Sequence, residues 1–540
     1  MNVAVACERF RSRWTRELLF PLLLVAGYAV LVAISARVGT QEAPVPAVPA
    51  VNLLDKPLGE DAFYMLSVAR RLGHGEFMRY GDVRTTGTQP LTTLLYGSIY
   101  ACTEALGAGP FLPLRIIIVL DVFFLVGTAL TAGEIVRRWA TRQELSESDA
   151  RWAASFVGMV VALNPGAFRQ YAYGLETGLY LFLMSLVLLY LDVSQVLEQP
   201  RPGAGYSVVV AGGLIGLTIL TRIDFVVICL VALLPAFLRR GGRRWRAGSI
   251  AAIAGLIALP WFAYVYSVVG GIMPSSGGAQ SGAVVSWSAL ADRANAAAAA
   301  LVVASSAVLY VPSQFGIAHL GVLAVVGSLV VVLRRPLLCL VREVGNWFAG
   351  AAVLCVTYVL FFSSGHFYSR YFSPLWLLWT LVLAGAAAIA LTRRSPPSRG
   401  RWFLGTFLGL AMLFGIQLGY TLHRGHVSNT HLYSAFYVQQ HGTSLGRVGA
   451  FQSGLIGYLN DGTINLDGKV DGNALKWGRA GRLECYLQER KISAVIDWPE
   501  AFRGGWISPG FVARSMRFRD AVPGGSSVVM TVEASTEPCL

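Results

Sequence analysis

Of 540 residues, 55% are hydrophobic and only 14% are charged, with a mean hydropathy of +0.56; a soluble chain of this length would carry about 25% charged residues. The net charge of +14 is almost all arginine, since Lys56, Lys469, Lys476 and Lys491 are the only lysines. Those arginines cluster between apolar runs, which excludes a soluble enzyme and a nucleic-acid groove and points to a polytopic membrane protein with basic cytoplasmic loops.

Eleven runs approach the ~20 apolar residues that cross a bilayer: 17–36, 112–133, 152–164, 177–191, 206–221, 224–238, 247–268, 315–333, 346–362, 374–391 and 402–420. If the first points outward, every basic cluster falls inside: Arg9/Arg11/Arg13/Arg16, Arg137/Arg138/Arg142, Arg239/Arg240/Arg243/Arg244/Arg246, Arg334/Arg335 and Arg393/Arg394/Arg399/Arg401. Outside lie 37–111, 165–176, the 222–223 turn, 269–314, 363–373 and the tail from 421. The first run has the basic front of a signal peptide, with Ile34-Ser35-Ala36 as a weak cleavage site. Its apolar core exceeds the usual 7–15 residues, so an uncleaved anchor is expected.

In the first outer segment Glu60-Asp61 stands out, because charge beside lipid is costly and tends to be kept for work. Behind it, Ala62, Met65, Leu66, Ala69 and Gly73 share one helical face. That spacing predicts a helix lying in the membrane interface, with Arg70, Arg71 and Glu76 near its polar side or end. The run Pro90–Leu106 reads as a second juxtamembrane helix, since a full span there would invert every later loop.

After residue 420 charged, glycine-rich sequence takes over, which divides the chain into a membrane part, 1–420, and a small outer α/β domain, 421–540. Gly446–Phe451, Thr463–Leu466 and Ile492–Trp498 read as strands, and Arg479–Arg490 as an amphipathic helix. Gly449, Gly454 and Gly457 miss the GxGxxG spacing of a dinucleotide loop and read as turn glycines. Cys485 and Cys539 both fall outside, where a disulfide is permitted, although connectivity does not follow from sequence. No HxxxH or HExxH pattern and no metal-type cysteine pair occurs, so no metal site is assigned; a divalent ion is not excluded.

Several short motifs resemble the GT-C glycosyltransferases, polytopic enzymes that use polyprenyl-phosphate sugars. Glu60-Asp61-Ala62-Phe63-Tyr64 is similar to the family's paired-acid motif, and Gly87-Thr88-Gln89-Pro90-Leu91 to its Gly-x-[TS]-x-Pro-Leu box. Tyr173-Gly174-Leu175-Glu176-Thr177 is similar to a Gly-Met-Glu-Thr turn, Thr221-Arg222-Ile223-Asp224 to Thr-Arg-Pro-Asp, and Ser369-Arg370-Tyr371-Phe372 to an Arg-Tyr turn opening a late span. Pro274 sits where a Leu-Pro-Asn element often follows a long span, and Asn465-Leu466-Asp467-Gly468 resembles an Asp-x-x-Gly element of a bacterial branch holding arabinofuranosyl- and mannosyltransferases. Glu60 stands where that branch usually has Asp, and Ile223 where proline is common.

The resemblance implies a GT-C-type helical bundle in a bacterial cytoplasmic membrane, with its active site and tail facing out. It implies inverting transfer of a sugar from a polyprenyl-phosphate donor to a glycan, lipid or protein acceptor. Such a donor carries its own leaving group, so the site needs a carboxylate base for the acceptor hydroxyl and cations for the departing phosphate. Asp61, with Glu60 beside it, is the expected base, and Arg370 and Arg222 the expected phosphate ligands. Arg84, Gln89, Glu176, Asp224, Tyr371 and His366 are the expected substrate contacts. Plainer roles exist: the acids also suit a helix N-terminus, and Arg222 and Asp224 also suit a mutual charge pair. The competing functions are a lipid-linked-sugar flippase and a non-catalytic glycan-binding scaffold.

Overall fold

The computed structural model describes residues 16–38, 52–198, 204–239, 241–282, 286–305, 316–363, 368–394, 396–424, 430–503 and 507–533. Each of the eleven apolar runs overlaps a helix. Among the described residues five helices are long and apolar enough to cross a bilayer: Leu112–Arg142, Thr177–Ser194, Gly242–Val269, Arg334–Phe361 and Ser373–Thr392. Shorter apolar stretches lie at Pro21–Val30, Gly205–Thr221 and Phe225–Leu238. This is a multi-pass membrane protein.

Lipid tails are as apolar as leucine, so close packing has to hold such a bundle, and small residues permit it. A Cβ at Gly212 or Gly216 would stand 2.7 or 2.8 Å from the Cβ of Ile253 or Ile257. One at Gly350 would stand 2.6 Å from the Ile228 carbonyl. The helix Ala204–Thr221 thus lies directly on Gly242–Val269, and Phe225–Leu238 on Arg334–Phe361.

One end of the bundle carries an arginine network. Arg138 lies 2.6 Å from Asp192, Arg142 pairs with Asp192 and, at 2.8 Å, with Glu343, and Arg399 pairs with Asp149. Asp192 is in the last turn of Thr177–Ser194, whereas Glu176 precedes its first. At 1.5 Å per residue that helix separates the two by ~24 Å, most of the thickness of a bilayer core.

At the Glu176 end sit the helices Glu60–Gly73 and Pro90–Ala105, joined through the hairpin of β1 (Arg79–Tyr80) and β2 (Val83–Arg84). Glu60–Gly73 carries acids in its first turn and Arg70 and Arg71 in its last, matching the helix dipole at both ends. It does not lie open in the interface: every residue from Ala62 to Ala69 is buried. Phe63, Tyr64 and Val68 make its second face apolar too, and the tail covers that face.

In the tail, β3 (Val448–Ala450), β4 (Ile464–Asn465), β5 (Ala494–Asp497), β6 (Met516–Ala521) and β7 (Val528–Val532) form a sheet in the order β4-β3-β5-β7-β6. β3 runs parallel to β4 and β5, and β7 antiparallel to β5 and β6. The three expected strands coincide with β3, β4 and β5. Along β5 alternate side chains enter different cores, as a period of two requires. Ala494 and Ile496 join Phe63, Leu66 and Leu455, while Val495 joins Leu483, Tyr486 and Phe511. One core therefore belongs to the tail, and the other is shared with residues 37–111.

Two expectations change. The helix read over Arg479–Arg490 starts only at Leu483 and runs to Glu489, because Gly481, at a left-handed φ of +65°, makes the turn after the preceding helix Gly472–Arg479. The segment 269–314, placed outside without any element assigned, contains the helix Trp287–Ser305, whose alanine run 296–300 favours helix. From it Arg293 donates to the Gly282 carbonyl at 2.8 Å and reaches those of Val359 and Leu360 at 3.4 Å, partnering carbonyls that the end of Arg334–Phe361 leaves open.

Candidate active site

Helix ends bring the motif residues together. Asp61 lies in the first turn of Glu60–Gly73, Gln89 just before Pro90, and Glu176 just before Thr177. Arg222 and Asp224 occupy the turn between Ala204–Thr221 and Phe225–Leu238, while Arg370 and Tyr371 precede Ser373–Thr392. All seven line one cavity of about 490 Å³. Its other wall is apolar, built of Val226, Val227, Phe262 and Leu354 from three adjacent membrane helices.

The cations in this cavity differ in how they are engaged. Arg222 is buried and closed on two carboxylates, donating to Glu176 at 3.1 Å and through Nε to Asp224 at 3.1 Å. Tyr358 completes the group, donating to Asp224 at 2.6 Å. Its ring stacks on Tyr371 at 4.4 Å, and Tyr371 donates to Gln280 at 2.5 Å. Asp61, by contrast, meets its cations at longer range: Arg370 is 3.9 Å from Oδ2 and Lys469 is 3.6 Å from Oδ1.

The two neighbouring acids also differ. Glu60 does not line the cavity; its carboxyl faces Gly454, and Oε1 has no hydrogen-bond partner among the described residues. Burial, followed by repulsion from Asp61, pushes its pKa up to about 8, so it holds a proton at neutral pH. Of these two, only Asp61 lines the cavity.

Arg84 is placed elsewhere. It is exposed on β2 and lines a separate cavity with Lys476 and Arg479. His366 lies outside the described residues, as does Cys539; Cys485 is disulfide-bonded. Among the described residues no group of three His, Cys, Asp or Glu side chains is arranged to hold a metal ion.

Sequence reasoning missed Lys469, Tyr358 and Gln280, all of which line the cavity. Lys469 had a signal: it is one of four lysines and directly follows Asn465-Leu466-Asp467-Gly468. Burial disfavours its charge, but Asp467, Asp61 and Glu60 outweigh that and hold its pKa above the usual lysine range.

No protein-family model and no curated protein matches the chain. Solved structures do. ArnT from Cupriavidus metallidurans, bound to undecaprenyl phosphate, is 15% identical with a TM-score of 0.56, over 96% of this chain and 98% of that one. The oligosaccharyltransferase of Archaeoglobus fulgidus tethered with an acceptor peptide is 12% identical with a TM-score of 0.48, over 95% and 74%. The same archaeal protein in its apo form is 12% identical with a TM-score of 0.47, over 96% and 75%. The likeness to ArnT runs nearly end to end in both chains, and it is one of fold: this chain shares the fold of that structure.

Proposed function

We propose that the protein is an inverting glycosyltransferase that moves a sugar from a polyprenyl-phosphate donor to a hydroxyl of an envelope acceptor. The observation that carries this reading is the two-sided cavity. Its apolar wall between membrane helices suits a polyprenyl chain, and its charged end, with Asp61 and Arg370, suits a sugar phosphate. Residues 1–420 form the membrane part and 421–540 the outer part. The opposite ends held by the arginine network and the cavity support a cavity facing outward from the cytoplasmic membrane. The motifs shared with the arabinofuranosyl- and mannosyltransferase branch favour a cell-envelope acceptor.

In this mechanism Asp61 takes the proton of the acceptor hydroxyl as its oxygen attacks the anomeric carbon. The bond from that carbon to the phosphate oxygen breaks, and its electron pair leaves with polyprenyl phosphate. One displacement inverts the centre. Arg370 faces the leaving phosphate with a guanidinium that can make two parallel hydrogen bonds. Arg222 takes a different part from the one its motif implies: already closed on Glu176 and Asp224, it fixes the Tyr358–Tyr371 floor. Gln89 and Tyr371 shape the sugar end.

Purified protein in detergent, given polyprenyl-phosphate sugars and candidate acceptors, tests this where no sidedness exists. A transferase releases polyprenyl phosphate and forms product. Absence of transfer across a broad panel, together with sugar-lipid translocation in reconstituted vesicles, would make it a flippase.

A further inference from the structure

The tail segment 467–470 is separate in sequence from every membrane helix, yet Lys469 and Val470 line the cavity. Its backbone is clamped there. Gly87 approaches so closely that a Cβ would stand 1.9 Å from the Lys469 carbonyl oxygen, and Ser275 Oγ donates to that same carbonyl at 2.9 Å. Ser275 is held in turn by its N–H, which donates to Thr86 at 3.0 Å. Gly468, at φ +77°, makes the turn, and the Lys469 N–H donates to Asp467 at 2.9 Å. This frame aims the side chain inward. Its Nζ lies 3.2 Å from Asp467 Oδ2, 3.6 Å from Asp61 Oδ1 and 5.4 Å from the centre of the Tyr64 ring.

Charge-assisted contacts close at about 2.7–2.9 Å. Lys469 and Arg370 both stand farther than that from Asp61, one near each carboxylate oxygen. Arg222, in the same cavity, is closed on its carboxylates. Two cations thus flank the base without closing on it, one supplied by the membrane part and one by the tail.

We propose that Lys469 contacts substrate, taking the phosphate of the lipid-linked donor together with Arg370 on either side of Asp61. This rests on the transferase reading above. The donor's phosphodiester carries one negative charge, and the departing phosphate carries more as the sugar leaves, so a second cation contributes most in the transition state. Donor entry also draws both cations away from Asp61, leaving its carboxylate to accept the acceptor's proton. The site is incomplete without the tail.

The test measures binding of undecaprenyl phosphate and of undecaprenol, the uncharged alcohol, to the full chain in detergent. Wild-type protein prefers the phosphate. Lys469→Met should lower that preference by about tenfold or more, the scale of one charged hydrogen bond, while leaving undecaprenol binding unchanged. Lys469→Arg should restore most of it, and Lys476→Met, outside this cavity, should leave it intact. If Lys469→Met does not fold, Lys469→Gln is read by the same ratio. A Lys469 variant that keeps the wild-type preference while Arg370→Met loses it overturns the proposal. So does a variant that weakens both ligands equally, since that marks a packing role. Wild-type protein with no preference for phosphate would instead overturn the transferase reading.

Discussion

At the arginine-network end of the bundle the charges have closed on one another: Arg138 on Asp192 at 2.6 Å and Arg142 on Glu343 at 2.8 Å. At the cavity end, Lys469 and Arg370 stand 3.6 and 3.9 Å from Asp61. Closed pairs leave no electrostatic work undone and serve the fold. Around Asp61 the contacts are longer and Lys469 is shared with Asp467 at 3.2 Å, so this cluster turns its charge toward the cavity that it lines. The contrast also runs inside the cavity, where Arg222 behaves like the arginines of the opposite end although its motif resembles a substrate site.

The deepest break would come at Asp61. Asp61→Asn keeps the shape and removes the base, so turnover should fall on the order of 10²–10⁴-fold while the protein still folds. Measuring product formation beside thermal unfolding separates the two. Near-normal turnover would mean that the cavity end does no acid–base chemistry.

Arg222 should respond in stability instead. Arg222→Met strands Glu176 and Asp224 in a buried site, and breaking such a pair costs about 3–5 kcal/mol. Arg142→Met removes a partly exposed arginine, for which about 1 kcal/mol or less is expected. Thermal unfolding of both variants in one detergent makes the comparison. A stable Arg222→Met protein with poor donor binding would make Arg222 a donor contact beside Arg370.

Much of this was readable from the chain. The membrane helices follow from apolar length, and Asp61, Gln89, Glu176, Arg222, Asp224, Arg370 and Tyr371, which the motif resemblance singled out, line one cavity. What sequence does not carry is the state of each charge. Arg222 and Arg370 are both arginines beside a span, and only packing decides that one is closed on two acids. Lys469 was hidden for a related reason: its place depends on long-range clamping by Gly87 and Ser275, which no local pattern expresses. The burial of Glu60–Gly73 escaped because Phe63, Tyr64 and Val68 could face lipid as readily as the tail. The turn at Gly481 was written in the sequence and overridden by the amphipathic pattern around it.

Arg370→Lys sharpens the comparison at smaller scale. An ammonium keeps the charge but cannot reproduce the paired hydrogen bonds of a guanidinium. Donor affinity and turnover should each weaken about tenfold, with expression and unfolding temperature little changed. Steady-state kinetics against donor concentration reads it. Unaltered kinetics would place the phosphate elsewhere in the cavity.

The smallest effect distinguishes the two neighbouring acids. Burial, then Asp61, raises Glu60 from 4.5 to about 8, so the folded protein keeps a proton that the unfolded chain releases near 4.5. Between those values the folded state binds more protons, so stability falls as pH rises through that window and levels off above about 8. Glu60→Gln keeps a neutral group of the same shape and removes the ionisation. Its unfolding temperature should therefore fall less than wild type's between about pH 5 and 8, with the variant the more stable at the alkaline end. Turnover at neutral pH should stay within about threefold of wild type, because the group it replaces is already uncharged and does not face the cavity. A folded Glu60→Gln protein as inactive as Asp61→Asn would assign the base to Glu60, and would mean that the acid turned toward Gly454 swings into the cavity during turnover.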